Sequence, residues 1–353
     1  MLEYTILIFL IFIIYPMFGK KYSTINGLVV KRNNKSYILI VSLLLILLLG
    51  LRDLTVGIDT INYYAIFTRI QNIEFSQLFN GVAYEYGYRL LQYVIGIIFK
   101  EYQLLLIVVA IIYIAAVSYH IYKYSEKPMI SYILFILYGF YTFAFSTTRQ
   151  TLAIAFILIA YEFMTREKLF KFLIFVLIAA SFHITALIFI PSYWIIKFKL
   201  NKYTLTFITL ITALMFYFRT GIVLFLNSIA RNEYTFTETG GNLLFLFMVI
   251  SVIIGFIYRK QFLSARENNK LLFYMMCMSV IIMPITKFHP AMMRLMYYFF
   301  IFMIIYIPNL LVVIRDPIIR FIGYAGYIFI GFFYFYMNVI PSARLEDYLF
   351  FWQ

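Results

Sequence analysis

Charge is the scarcest thing in this chain. Only 12% of its 353 residues are charged while 64% are hydrophobic, and a soluble domain carries about 25% charge; an ordinary soluble globular protein is excluded. Cysteine occurs once, at Cys277 inside an apolar run, which rules out an internal disulfide and a cysteine metal cluster. The opening MLEYTILIFLIFIIY has neither a basic n-region nor a small-residue cleavage site, so it reads as a retained first helix and not as a signal peptide. HExxH, a nucleophile elbow, a Walker loop and GxGxxG are all missing, and no clustered His/Cys/Asp set has metal-ligand spacing. A cytoplasmic nucleotide is therefore an unlooked-for substrate; one that arrives through the membrane, activated beforehand, suits the chain better.

What is present is long apolar runs from end to end. A bilayer core needs roughly 20 apolar residues per helix, and continuous apolar runs exclude the alternation of a β-barrel. The expected fold is an all-α polytopic membrane protein forming one integral membrane domain over residues 1–353. Twelve spans are read at about 2–18, 36–51, 102–122, 128–146, 149–164, 168–182, 184–197, 203–219, 242–258, 271–286, 291–314 and 317–338. Several are shorter than 20 residues, so tilt or local thinning is expected.

Lysine and arginine set the orientation. Nineteen of the 29 fall in links that twelve spans place on one side: Lys20, Lys21, Lys31, Arg32 and Lys35; Lys123 and Lys127; Arg166, Lys168 and Lys171; Lys197, Lys199 and Lys202; Arg259, Lys260, Arg266 and Lys270; Arg315 and Arg320. That side is cytoplasmic, and both termini are then outside. The other ten cations face ten outer acids, so the net charge of +14 sits inside. The basic excess is a topology signal, and nucleic acid is discarded as a partner. The fit requires GYRLLQYVIGIIF (87–99) to lie in or on the outer face as a re-entrant or interfacial helix. Two long outer loops result, 52–101 and 220–241.

Charges at membrane depth are costly and mark functional sites by default. Four outer places stand out. In LRDLTVGIDTINYY, Gly57 permits a tight turn and Asp59 is placed to N-cap a helix TINYYAIFTRI; Arg52 either snorkels and pairs with Asp53 or belongs to a site. In FSTTRQTLAIAF, Arg149 opens a helix against the helix dipole, and a bound anion would compensate it. In AASFHITAL, His183 belongs to the residue type suited to proton transfer, or it hydrogen-bonds neighbouring backbone or simply breaks the helix. In MPITKFHPAMMRLMYYFF, Lys287, His289 and Arg294 stand without an acid, matching an anion such as phosphate or a lipid headgroup.

Taken in order, these stretches resemble a known family. Arg-x4-Gly-x-Asp-Thr-x-x-Tyr (Arg52, Gly57, Asp59, Thr60, Tyr63), an outer EYGY (Glu85 to Tyr88), Arg149-Gln150, Phe182-His183-x-Thr185-Ala186, and Arg294 before Tyr297 and Tyr298 are together similar to the EpsG-like branch of the Wzy-type bacterial polysaccharide polymerases, over about residues 50 to 300. The resemblance implies a fold of the GT-C-like membrane glycosyltransferase class in the bacterial cytoplasmic membrane, with no cofactor and no metal. It implies transfer on the outer leaflet, from a glycan chain on undecaprenyl pyrophosphate to a repeat unit on the same carrier. Membrane lipids and a chain-length regulator protein are the further partners it suggests. His183, Asp59 and Glu85 are candidates for the catalytic base. Arg52, Asp53, Tyr63, Arg149, Gln150, Lys287, His289 and Arg294 are candidates for holding pyrophosphate and glycan. An O-antigen ligase-like transferase, a lipid-linked sugar transporter or flippase and a structural scaffold remain as alternatives; outer cations crowding one face disfavour alternating access.

The charge distribution predicts that alkaline phosphatase fused at either terminus is active on the outside, and that fusions in the basic link 259–270 are inactive; activity there would reverse the topology.

Overall fold

The computed structural model describes residues 2–19, 22–25, 28–31, 34–79, 83–195, 197–230, 241–286, 290–343 and 348–353. Apart from a two-stranded hairpin, the architecture is helical. In chain order it runs α1 (Leu2–Phe18), β1 (Tyr22–Ile25), β2 (Leu28–Lys31), α2 (Lys35–Gly50), α3 (Thr60–Gln71), a 3-10 turn Phe75–Phe79, α4 (Tyr86–Phe99), α5 (Tyr102–Tyr124), α6 (Pro128–Leu137), α7 (Phe140–Ser146), α8 (Thr148–Thr165), α9 (Leu169–Phe182) and a 3-10 turn Ile184–Phe189. Then follow α10 (Ser192–Ile195), α11 (Lys202–Tyr217), α12 (Arg219–Ala230), α13 (Asn242–Ile257), α14 (Arg259–Ala265), α15 (Asn269–Thr286), α16 (Pro290–Phe300), α17 (Met303–Val312), α18 (Pro317–Tyr334) and α19 (Ile340–Ala343).

Helical backbone occupies each of the twelve expected segments, but several are broken. Among the described residues three helices (Tyr102–Tyr124, Asn269–Thr286 and Pro317–Val339) are long and apolar enough to cross a membrane, and up to seven if each of four bent pairs counts as one. The segment 128–146 bends by 46° between α6 and α7, where Gly139 takes φ +83°, a conformation that glycine accepts freely. The segment 291–314 bends by 42° between α16 and α17. The expected span 184–197 is a 3-10 turn followed by the short α10, with Pro191 between them, which lacks the N–H a continuous helix needs. The loop expected over 220–241 is a helix as far as Ala230, turned 67° from α11, and residues 231–240 lie outside the described ones.

The basic link after α1 also differs from a plain loop. Tyr22 pairs with Lys31 and Ile25 with Leu28 in antiparallel register. The sequence there places Asn26-Gly27 between two runs rich in β-branched residues, a strong short-range hairpin signal.

Packing inside the bundle relies on close approaches and a few satisfied polar groups. A Cβ on Gly50 would stand 3.2 Å from Ile107 Cα, which draws α2 against α5; Gln103 Nε2 donates to the Gly50 carbonyl at 2.5 Å. Ser42, Ser118 and Tyr132 hydrogen-bond one another between α2, α5 and α6; buried hydroxyls without such partners would each cost about 1–3 kcal/mol. At the far end of α8, Glu162 accepts from Lys123, Tyr124 and Arg166, while Arg266 pairs with Glu126 at 2.5 Å. The ends of α5 and α8 that carry the basic links therefore meet.

The loop between α2 and α3 is docked on the end of α7 through the Phe145 carbonyl and through the Ser146 hydroxyl, which accepts from the Ile58 N–H at 3.1 Å. Arg52 Nη2 donates to the Phe145 oxygen at 3.2 Å, and the Thr60 hydroxyl lies 3.2 Å from the same oxygen. Gly57 has φ +97°, and a Cβ there would stand 2.2 Å from that oxygen. The C-terminal residues close over this point: Tyr348 donates to the Leu48 carbonyl at 2.7 Å, and Arg52 forms a bridge with Phe350. Gly57→Ala should destabilise by more than the roughly 0.4–1 kcal/mol that the same replacement gains at an unstrained position, read as a lowered thermal midpoint of the purified protein; a midpoint equal to or above wild type would remove the close approach as a determinant.

Candidate functional site

The polar residues singled out along the chain come from separate elements, and most of their side chains meet at one end of the bundle. Helix α4 brings Glu85. Gly87 lets it do so: a Cβ at that position would stand 2.3 Å from Ser181 Oγ and 2.8 Å from the Ser181 carbonyl oxygen, so only glycine allows α4 to lie against the end of α9. Glu85 then sits beside His183, the residue at which α9 stops, and opposite Arg149 in the first turn of α8. One side of α4 packs Tyr88, Arg89, Gln92 and Ile95 inward, and the other leaves Leu90, Val94, Ile97 and Ile98 exposed. This apolar outward face suits the interfacial placement expected for 87–99.

Glu85 is shared. Its Oε2 lies 2.5 Å from Arg149 Nη1, its Oε1 lies 3.0 Å from His183 Nδ1, and the Ile184 backbone N–H donates to Oε1 at 3.2 Å. Burial alone would raise this carboxyl, but the hydrogen bond with His183 and the charge of Arg149 outweigh it and hold it at about 2. An ionised carboxylate only accepts, so His183 presents Nδ1–H to it, and Nε2 is the ring nitrogen that Glu85 does not engage.

Arg149 is enclosed by aromatics as well. Its guanidinium carbon lies 4.1 Å from the Tyr84 ring centroid and 6.0 Å from that of Tyr63; Tyr63 is buried. Tyr84 was not among the expected residues. Its only trace in the sequence is an aromatic directly before the EYGY stretch, in a chain where 21% of residues are aromatic.

Asp59 corrects an expectation. It precedes α3 but makes no side-chain capping bond, with φ −95° and ψ −1°. An N-cap takes extended backbone to turn its side chain back onto the helix N–H groups, and Asp59 is already helical. Its carboxylate instead lies 3.8 Å from Arg294 Nη2. The Arg294 backbone carbonyl accepts from Gln150 Nε2 at 2.5 Å, and Tyr298 on the same helix hydrogen-bonds Thr185 at 3.0 Å. Gln150 Nε2 thus joins α8 to α16, while its Oε1 is buried without a hydrogen-bond partner.

Arg52 and Asp53 are separated from these groups. Arg52 is 2% exposed and donates to the carbonyls of Leu49 and Phe145, so it neither snorkels nor pairs with Asp53. Asp53 accepts from the backbone and hydroxyl of Thr55 at 2.9 and 2.8 Å; the Thr55 N–H is the main reason its carboxyl is held below the usual range. Both residues build the loop. Lys287 and His289 lie outside the described residues. Among the described residues no group of three or more His, Cys, Asp or Glu side chains is placed to hold a metal ion.

The fold and this end of it define a class: an all-helical chain with membrane-type apolar spans and its ionised side chains gathered at the helix mouths. A protein-family model described as EpsG family matches residues 35–352, almost the whole chain, and the protein belongs to the EpsG family. No curated protein and no solved structure matches it.

A carboxyl held low stabilises the fold above its ordinary value of 4.5, and that contribution is lost as pH falls toward about 2. Thermal midpoints measured across this window should therefore fall more steeply in wild type than in Glu85→Gln. Parallel slopes would show that the carboxylate is not held by Arg149 and His183.

Proposed function

We propose that this protein polymerises oligosaccharide repeat units carried on undecaprenyl pyrophosphate, at the outer face of the bacterial cytoplasmic membrane. The observation that carries the reading is the convergence of Arg149, Arg294, Glu85, Asp59 and His183 from four helices and a helix end onto one mouth of the bundle, in a chain of the EpsG family. The chain would cross twelve times with both termini outside, which puts that mouth on the side away from the basic links.

In the proposed reaction the acceptor's terminal hydroxyl oxygen attacks the anomeric carbon of the donor glycan. The bond from that carbon to the pyrophosphate oxygen breaks, its electron pair staying on the lipid pyrophosphate, and the hydroxyl proton passes to His183 Nε2. We assign Glu85 as the group that orients His183, because both of its oxygens are engaged. Arg149 and Arg294 are the cations we assign to the departing pyrophosphate, in the manner of fixed phosphoryl clamps. Arg294 holds Asp59 only at 3.8 Å, so an anion can compete for it. Asp59 is the second candidate for the base. The transfer needs no metal in this reading.

Purified protein given lipid-linked repeat unit should build chains in the presence of a chelator, and Arg149→Ala and Arg294→Ala should each lose at least about a hundredfold, the scale of removing one transition-state charge donor, while still inserting. A deletion strain should accumulate single repeat units on the carrier. Long chains made but left unattached would point to a ligase, and normal chains would refute polymerisation; loss of activity on chelation would refute the metal-free reading.

A further inference from the structure

Tyr84 has no part in the chemistry assigned above, yet its backbone is strained. Its φ is +79°, in the left-handed region that residues with a Cβ adopt rarely and only where their surroundings hold them there. The constraint is aromatic: its ring meets Tyr63 at 5.3 Å and Tyr88 at 5.9 Å between centroids. The contact this conformation secures is with Arg149, whose guanidinium carbon lies 4.1 Å from the ring centroid.

A guanidinium is planar, with its N–H donors along the edges. Stacking a ring on its face leaves the edges free. Glu85 takes Nη1, while the buried Nε has no hydrogen-bond partner. Tyr63 also hydrogen-bonds the guanidinium, so Arg149 is held by one face, by Glu85 and by Tyr63, and Nε is the donor left without a partner. A guanidinium N–H left over in this way can donate a charge-assisted hydrogen bond to an oxyanion.

We propose that Tyr84 is the positioning residue that fixes the plane of the Arg149 guanidinium so that its unpartnered Nε donates to the phosphate of a lipid pyrophosphate. This rests on the pyrophosphate role assigned to Arg149 above. The strain follows from it: a conformation with negative φ would carry the ring off the guanidinium, and Arg149 would keep its charge but lose its orientation.

The test measures binding of farnesyl pyrophosphate to the purified protein by isothermal titration, with polymerisation kinetics on lipid-linked repeat unit alongside. Tyr84→Phe keeps the ring and should bind as wild type does. Tyr84→Leu should weaken binding about five- to tenfold, the worth of a partly buried cation–π contact, and raise KM in proportion while kcat changes little. Tyr84→Gly accepts the same φ without strain, so it should lose as much affinity as Tyr84→Leu with a thermal midpoint at or above wild type. It also carries the comparison if Tyr84→Leu does not accumulate. Binding indifferent to loss of the ring, or a Tyr84→Phe as weak as Tyr84→Leu, overturns this inference alone. A wild-type protein that binds no farnesyl pyrophosphate overturns the pyrophosphate role of Arg149, and the inference with it.

Discussion

One carboxylate sets the arrangement at the mouth of the bundle. Glu85 receives Arg149 from the start of α8, and His183 and the Ile184 N–H from the end of α9. A charge in so apolar a chain is retained only where opposite charge and hydrogen bonds surround it. Satisfying Glu85 therefore fixes three elements relative to one another. The close approach at Gly87 is what brings the carboxylate within reach of both partners.

The motif around residues 52–63 divides between two sets of contacts. Arg52, Gly57 and Thr60 converge on the Phe145 carbonyl and secure the loop to α7. Asp59 and Tyr63, in the same stretch, face Arg294 and Arg149. Fastening a mobile type of segment to a rigid helix end is how precise polar geometry is kept at a site. The opposite end of α8 has its own ion cluster around Glu162, about 20 Å away along the helix at 1.5 Å per residue. Each mouth of the bundle thus has a distinct polar character, carboxylates shared with arginines and a histidine at one, basic links at the other.

Much of this was legible before any coordinates. Apolar runs marked where helices would lie because their period and length are local properties, whereas the stretch 87–99 was set apart by its shortness and by the charge fit. Breaks within runs were less legible. Gly139 and Pro191 are visible as residues, but a bend in a membrane helix depends on whether neighbours satisfy the freed backbone groups. Tyr84 could not be told from the chain's many other aromatics, since its distinction is a backbone angle and a ring position.

Composition by itself determined that the chain is helical and membrane-type, and charge order gave the expectation that Arg149, His183, Glu85 and Arg294 share one side. Both are one-dimensional readings, because burial of apolar length and the cost of moving charge across a bilayer act on each segment separately. The tertiary structure alone decided who pairs with whom. It turned Arg52 inward to carbonyls, gave Asp59 to Arg294 in place of a helix cap, and put Glu85 between Arg149 and His183. These outcomes depend on distances of a few ångströms between residues as far apart in the chain as Asp59 and Arg294, set by backbone approaches such as those at Gly57 and Gly87.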